Sequence, residues 1–137
     1  MKEGFEDAFM DAQSAAISSC IEILNAKNIE VDFIYVYLFQ NKYQEFPNAF
    51  FKKDNRILKL NDILDDDSVY ELLDMLIEDI ENMIKVCDTY EGKCPNEWKL
   101  IYEVHTGKFD AEYGYDDFVD EDHGLVTAFK NWRESCS

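Results

Sequence analysis

Histidine is scarce in this chain of 137 residues, and so are bases, which number 13 against 30 acids. His105 and His123 stand at no paired spacing with each other or with a cysteine, so no zinc-type ligand set is expected. With five glycines in all, there is no Gly-x-Gly-x-x-Gly run and no phosphate-cradling loop. Ser18, Ser19 and Ser68 lack the glycines of a nucleophile elbow. The four cysteines, Cys20, Cys87, Cys94 and Cys136, form no Cys-x-x-Cys pair. Cys20 and Cys87 fall on apolar helix faces, Cys94 and Cys136 look peripheral, and a reduced, structural role is expected for them. No apolar run approaches the roughly 18 residues of a membrane span. Glu3, Glu6 and Asp7 occupy the place where a signal peptide carries bases, so a cytoplasmic location is expected.

What the chain does have is acid. The net charge is −17 and the isoelectric point near 4.2. Such a surface repels nucleic-acid phosphate and anionic headgroups and speeds encounter with cationic proteins. A 47% share of hydrophobic residues, 15% aromatic, separates the chain from disordered acidic sequences. Residues 1–137 read as one domain with no linker or repeat.

The pattern predicts an α+β fold. Phe5, Ala8, Phe9, Ala12, Ala16, Cys20, Ile23 and Leu24 recur at helical spacing, and Asn25 to Asn28 ends that helix. Val31 to Phe39 is too apolar for simple alternation and reads as a central strand. Pro47 places the next strand, about 48–53, after it or at an edge. Asp54-Asn55 is a hairpin signal, and Arg56 to Leu60 gives a third strand. Val69, Leu72, Leu73, Leu76, Ile80, Met83, Ile84 and Cys87 form the stripe of a second helix. Asp65 to Asp67 sit at its positive end, with Ser68 and Glu71 at capping-box spacing. Trp98 to Val104 and Lys108 to Tyr113 form a hairpin around Thr106-Gly107. Phe109, Ala111 and Tyr113 share the face expected to pack on the second helix. A short closing helix holds Phe129 and Trp132. The order is α-β-β-β-α-β-β, an antiparallel sheet of about five strands with helices packed against it.

Unbalanced acid gathers in two places. From Asp65 to Glu91 there are ten acids and one base, Lys85, and Asp74, Glu78, Asp79 and Glu81 belong to the helix's polar face. From 110 to 122 there are seven acids and no base, interleaved with Tyr113, Tyr115 and Phe118. Bases cluster instead at 42–59, as Lys42, Lys52, Lys53, Arg56 and Lys59. Tyrosine beside carboxylate suits a protein interface, because the ring buries area at low entropic cost while the carboxylate pairs with Arg or Lys. The 116–122 stretch lacks the alternating oxygen ligands, central glycine and terminal glutamate of a calcium loop. Nothing positive supports catalysis, a cofactor or a metal. A pocket holding His105 or a cysteine beside a carboxylate is what an enzyme or small-molecule reading would need.

The segment Tyr102-Glu103-Val104-His105-Thr106-Gly107-Lys108-Phe109-Asp110-Ala111-Glu112-Tyr113-Gly114-Tyr115-Asp116-Asp117 resembles the C-terminal signature of the YezG-like immunity (antitoxin) family. The shared pattern is a strand, a Gly-Lys-Phe turn, an alternating strand ending in an aromatic-acid repeat, and an acidic stretch. The chain departs from it at Leu125 to Arg133, where a further aromatic and basic strand is expected. The resemblance implies a cytosolic immunity protein, not an enzyme, that neutralises a cognate toxin, typically a basic nuclease domain, by stoichiometric binding. The expected contact residues are Tyr115, Asp116, Asp117, Asp120, Glu121 and Asp122, with Asp74, Glu78, Asp79 and Glu81 as a second patch. The alternative is an acidic adaptor or subunit of a complex unrelated to toxins.

Overall fold

The computed structural model describes residues 1–117 and 124–137. Among these, helix α1 (Phe5–Ala26) leads into strands β1 (Phe33–Gln40), β2 (Glu45–Lys53) and β3 (Arg56–Lys59). Helices α2 (Leu60–Ile63) and α3 (Asp66–Thr89) follow, then β4 (Glu97–Glu103), β5 (Phe109–Gly114) and α4 (Leu125–Ser135). The five strands form one antiparallel sheet in the order β3-β2-β1-β4-β5, so the expected α+β architecture is what the chain adopts.

β1 lies at the centre, and its sequence shows why. Ile34, Val36 and Leu38 enter an aliphatic core with α1 and α3, while Tyr35, Tyr37 and Phe39 enter an aromatic cluster with α4. A strand covered on both faces needs no polar alternation. β2 starts at Glu45, before Pro47, earlier than expected. Pro47 sits opposite Leu38 of β1, and β3 reaches only as far as Phe50, so β2 is locally an edge strand there. The missing proline N–H therefore breaks no ladder on the outer side.

Local chemistry sets the turns. Asp54 and Asn55 have φ of 51° and 65°, the two left-handed residues of a tight hairpin. α1 ends in a Schellman motif, with Asn28 at φ 56°, Asn28 N–H on Asn25 O (3.1 Å) and Ile29 N–H on Leu24 O (2.9 Å). α3 is capped by Asp65, whose Oδ1 accepts the Ser68 N–H at 2.8 Å. Ser68 is thus the capped residue and not the cap, and it is buried. α2 replaces the last residue of the expected third strand, with Asp62 Oδ2 accepting the Lys59 N–H at 2.8 Å and Leu60 and Leu64 buried.

The aromatic side of the β4–β5 hairpin packs on α1, not on α3. Tyr113 meets Phe9 edge-on at 5.5 Å and its hydroxyl donates to Gln13 Oε1 at 2.8 Å. α1 and α3 run antiparallel, joined at one end by Lys2 N–H to Tyr90 O (2.6 Å) and at the other by Lys27 Nζ to Asp65 Oδ2 (3.5 Å). Cys94 packs against the aliphatic core and Cys136 against the aromatic cluster, so neither is as peripheral as the sequence suggests. Among the described residues, no helix is long and apolar enough to cross a membrane.

Candidate protein-interaction surface

On α3 the spacing of Tyr70, Asp74, Glu78, Glu81 and Lys85 places them along one face, and all five are exposed. Tyr70 is 67% exposed and heads this acidic stripe, a candidate contact residue that the apolar pattern gave no reason to single out. Large exposed rings among carboxylates are the signal that could have found it.

Asp79 does not belong to the stripe. It turns into the α1–α3 interface, where its Oδ2 accepts the Ser19 hydroxyl at 2.7 Å. Burial raises its carboxyl above the ordinary range, opposed by the Ser19 hydrogen bond. The same Asp79 charge adds to the burial that pushes the Cys20 thiol up. Ser19 Oγ also lies 3.0 Å from Ala15 O, and its single proton can serve only one acceptor at a time. Asp79 is therefore an internal group of the helix layer.

The tail patch sits at the far end of the sheet. Tyr115 is 44% exposed, with Lys93 Nζ 4.9 Å from its ring centroid, and Asp116 and Asp117 are exposed. Asn41 Nδ2 donates to Asp117 Oδ1 at 3.2 Å, which ties the tail to the turn between β1 and β2. Asn41 Oδ1 in turn accepts the N–H groups of Tyr43 and Gln44, both at 2.9 Å. That turn projects Tyr43, 82% exposed, beside the tail acids. Asp120, Glu121 and Asp122 lie outside the described residues.

The turn also links the two patches. Glu45 begins β2 directly after it, and its carboxyl stands against Glu81 of the α3 stripe. Burial raises the Glu45 carboxyl first, and the neighbouring Glu81 charge raises it further. Two carboxylates held together repel, and a Lys or Arg placed between them relieves both. The turn thus brings Tyr43 and Glu45 together with Tyr115, Asp116 and Asp117 of the tail and with Glu81 of α3, while Asp74 and Tyr70 lie farther along the stripe toward the start of α3. Lys42 is the exception in charge. It belongs to the same turn, with Nζ 5.7 Å from the Tyr43 ring centroid.

A concave site lies at the opposite end of the strands. A cavity of about 320 Å³ is bounded by α1, the loop before β1, and the ends of β2 and β4. Its rim carries Asp32 and His105, with Oδ1 and Nε2 2.8 Å apart. The His105 hydrogen bond, then the Asp54 N–H on Oδ2 (2.9 Å), hold the Asp32 carboxyl below its ordinary range. This is the pocket with a histidine beside a carboxylate that a small-molecule reading requires. His105 is 71% exposed, and among the described residues no serine or cysteine lines the cavity. Among the described residues no group of three or more His, Cys, Asp or Glu could hold a metal ion.

Compared with known proteins, the chain matches no family model and no curated protein, so the functional reading rests on its own residues.

Proposed function

We propose that the chain is an immunity protein that binds and neutralises a basic toxin domain, of the nuclease type its C-terminal segment suggests. The observation that carries the proposal is the pairing of Glu45, directly after the β1–β2 turn, with Glu81 on the acidic face of α3, beside the turn that carries Tyr43 and reaches the tail acids through Asn41. In the free protein a hydrogen bond to Glu81 favours the protonated Glu45 carboxyl, and the two groups repel only when both are ionised. A guanidinium or ammonium from a partner converts the pair into a charge-paired centre, with Tyr43 and Tyr115 supplying apolar contact at its edges. A nuclease cleft presents such cations because it must bind phosphate, and the carboxylates would compete for them.

The test is co-expression with a basic nuclease-type domain, should one be encoded beside the gene. A one-to-one complex should co-purify, and the domain's cleavage of nucleic acid should be suppressed at equimolar ratio. Glu45→Gln combined with Glu81→Gln should weaken the complex by roughly tenfold or more, the scale of losing a charge-paired centre. Full suppression by the double variant at limiting concentration would dispose of this centre as the binding site.

A further inference from the structure

The cavity at the other end of the sheet has walls that are mostly apolar. Leu24 and Ile21 come from α1, Ile29 and Val31 from the following loop, and Tyr102 and Val104 from the end of β4. Val104 is 37% exposed, an aliphatic surface left open at the rim. Three independent features make the site electronegative. Asp32 contributes a carboxylate that is a third exposed, and Glu30 contributes a second, exposed one. The third is the C-terminal end of α1, a helix of 22 residues with no basic residue in its last turn. Its dipole directs negative potential toward Leu24 and Asn25, which line the cavity, although their carbonyls already accept the Ile29 and Asn28 N–H groups. Lys27, the cap residue, is drawn away to Asp65 at 3.5 Å. Opposing them in the lining are Lys53 and His105, whose Nε2 lies 2.8 Å from Asp32 Oδ1, so among the described residues Glu30 is the carboxylate without a partner in the lining.

We propose that this cavity binds a small organic cation, a primary amine on a short apolar or aromatic stem. The stem lies on Leu24, Ile29 and Val104. The ammonium lies between Asp32 and Glu30, below the α1 carbonyl end, and the Tyr102 ring offers its face to the cation. A free amine is the proposed occupant because the site is a concave cavity of about 320 Å³ with apolar walls, the size of a small molecule. The assignment does not depend on the immunity reading.

The experiment is amide NMR titration of the full chain with two probes of similar shape and opposite charge, phenethylamine and phenylacetate. Phenethylamine should shift the amides of Leu24, Ile29 to Asp32 and Val104, with affinity on the order of millimolar for a ligand of so few atoms. Phenylacetate should bind about fivefold more weakly or worse. Glu30→Gln, an exposed change that leaves the fold intact, should weaken the amine about threefold, and Asp32→Asn should weaken it further. Lys53→Met should tighten it. Equal binding of the two probes, tighter binding of the acid, or the absence of shifts at these amides would overturn the proposal.

Discussion

The two faces of the sheet are built differently. On one, α1 and α3 seal Ile34, Val36, Leu38, Phe51, Trp98 and Leu100 beneath two long helices that also grip each other. On the other, among the described residues, the short helix α4 sets Leu125, Phe129 and Trp132 against Tyr35, Tyr37, Phe39 and Phe50. The first face is aliphatic and closed by interdigitation. The second is aromatic and organised around one ring: Trp132 lies 6.0 Å from Tyr35, 5.9 Å from Tyr37 and 5.2 Å from Phe50. Edge-on ring geometry adds only about 0.5–1.5 kcal/mol per pair beyond the area buried. The difference assigns global stability to the helix-covered face and leaves α4 as an element that can detach with the sheet still folded.

Leu76, fully buried between α3 and the sheet, is the sharpest probe of the first face. Leu76→Ala should cost about 3–4 kcal/mol by loss of transfer energy and a residual cavity, read as a fall in the denaturant midpoint of the whole protein. Trp132→Ala should cost about 2 kcal/mol and act locally. Hydrogen exchange should then show the α4 amides losing protection while β1 amides keep theirs. Equal loss across both would break the comparison.

The helix layer over the first face also contains its own weak point. Because the Asp79 carboxyl is raised in the folded protein, its ionisation opposes folding above that raised value. The penalty disappears as the pH falls below its ordinary value of 3.8. Asp79→Asn should therefore stabilise at neutral pH by roughly 0.5 kcal/mol, reduced by solvent screening of a half-buried group, and the gain should vanish in acid. Chemical denaturation of both proteins across the acid range checks the sign. Asp65 behaves oppositely. The Ser68 N–H holds its carboxyl below 3.8, so its capping contribution is present above that value and is lost as the pH falls through the lowered one. Asp65→Ala should lower the melting temperature slightly at neutral pH, and the difference should close in strong acid.

Elements whose chemistry is local were legible in the sequence. The stripe of α3, the doubly buried β1, the Asp54-Asn55 and Thr106-Gly107 turns, and the shared face of Phe109, Ala111 and Tyr113 all follow from spacing and residue type. What was not legible depends on contacts distant in sequence. Asp79 looks like its neighbours until Ser19, 60 residues away, claims its oxygen. The hairpin's apolar face was readable, but the choice of α1 over α3 to cover it was not. Tyr43 and Glu45 join the acidic surface only because the turn between β1 and β2 lands beside Asp117 and Glu81. The Asp32–His105 pair likewise bridges 73 residues and carries no motif.

If the acidic surface binds the toxin, the position of the acid matters, not its total. Stopped-flow association with a basic domain that co-purifies with the chain can separate the two. Asp74→Lys, Glu78→Lys and Glu81→Lys together alter net charge by as much as Asp7→Lys, Asp11→Lys and Glu22→Lys on the exposed side of α1. The α3 triple should slow association by roughly tenfold or more at low salt and flatten its salt dependence, while the α1 triple changes it only a few-fold. Equal slowing by both triples would mean that net charge alone steers the encounter, and the proposed surface would be wrong.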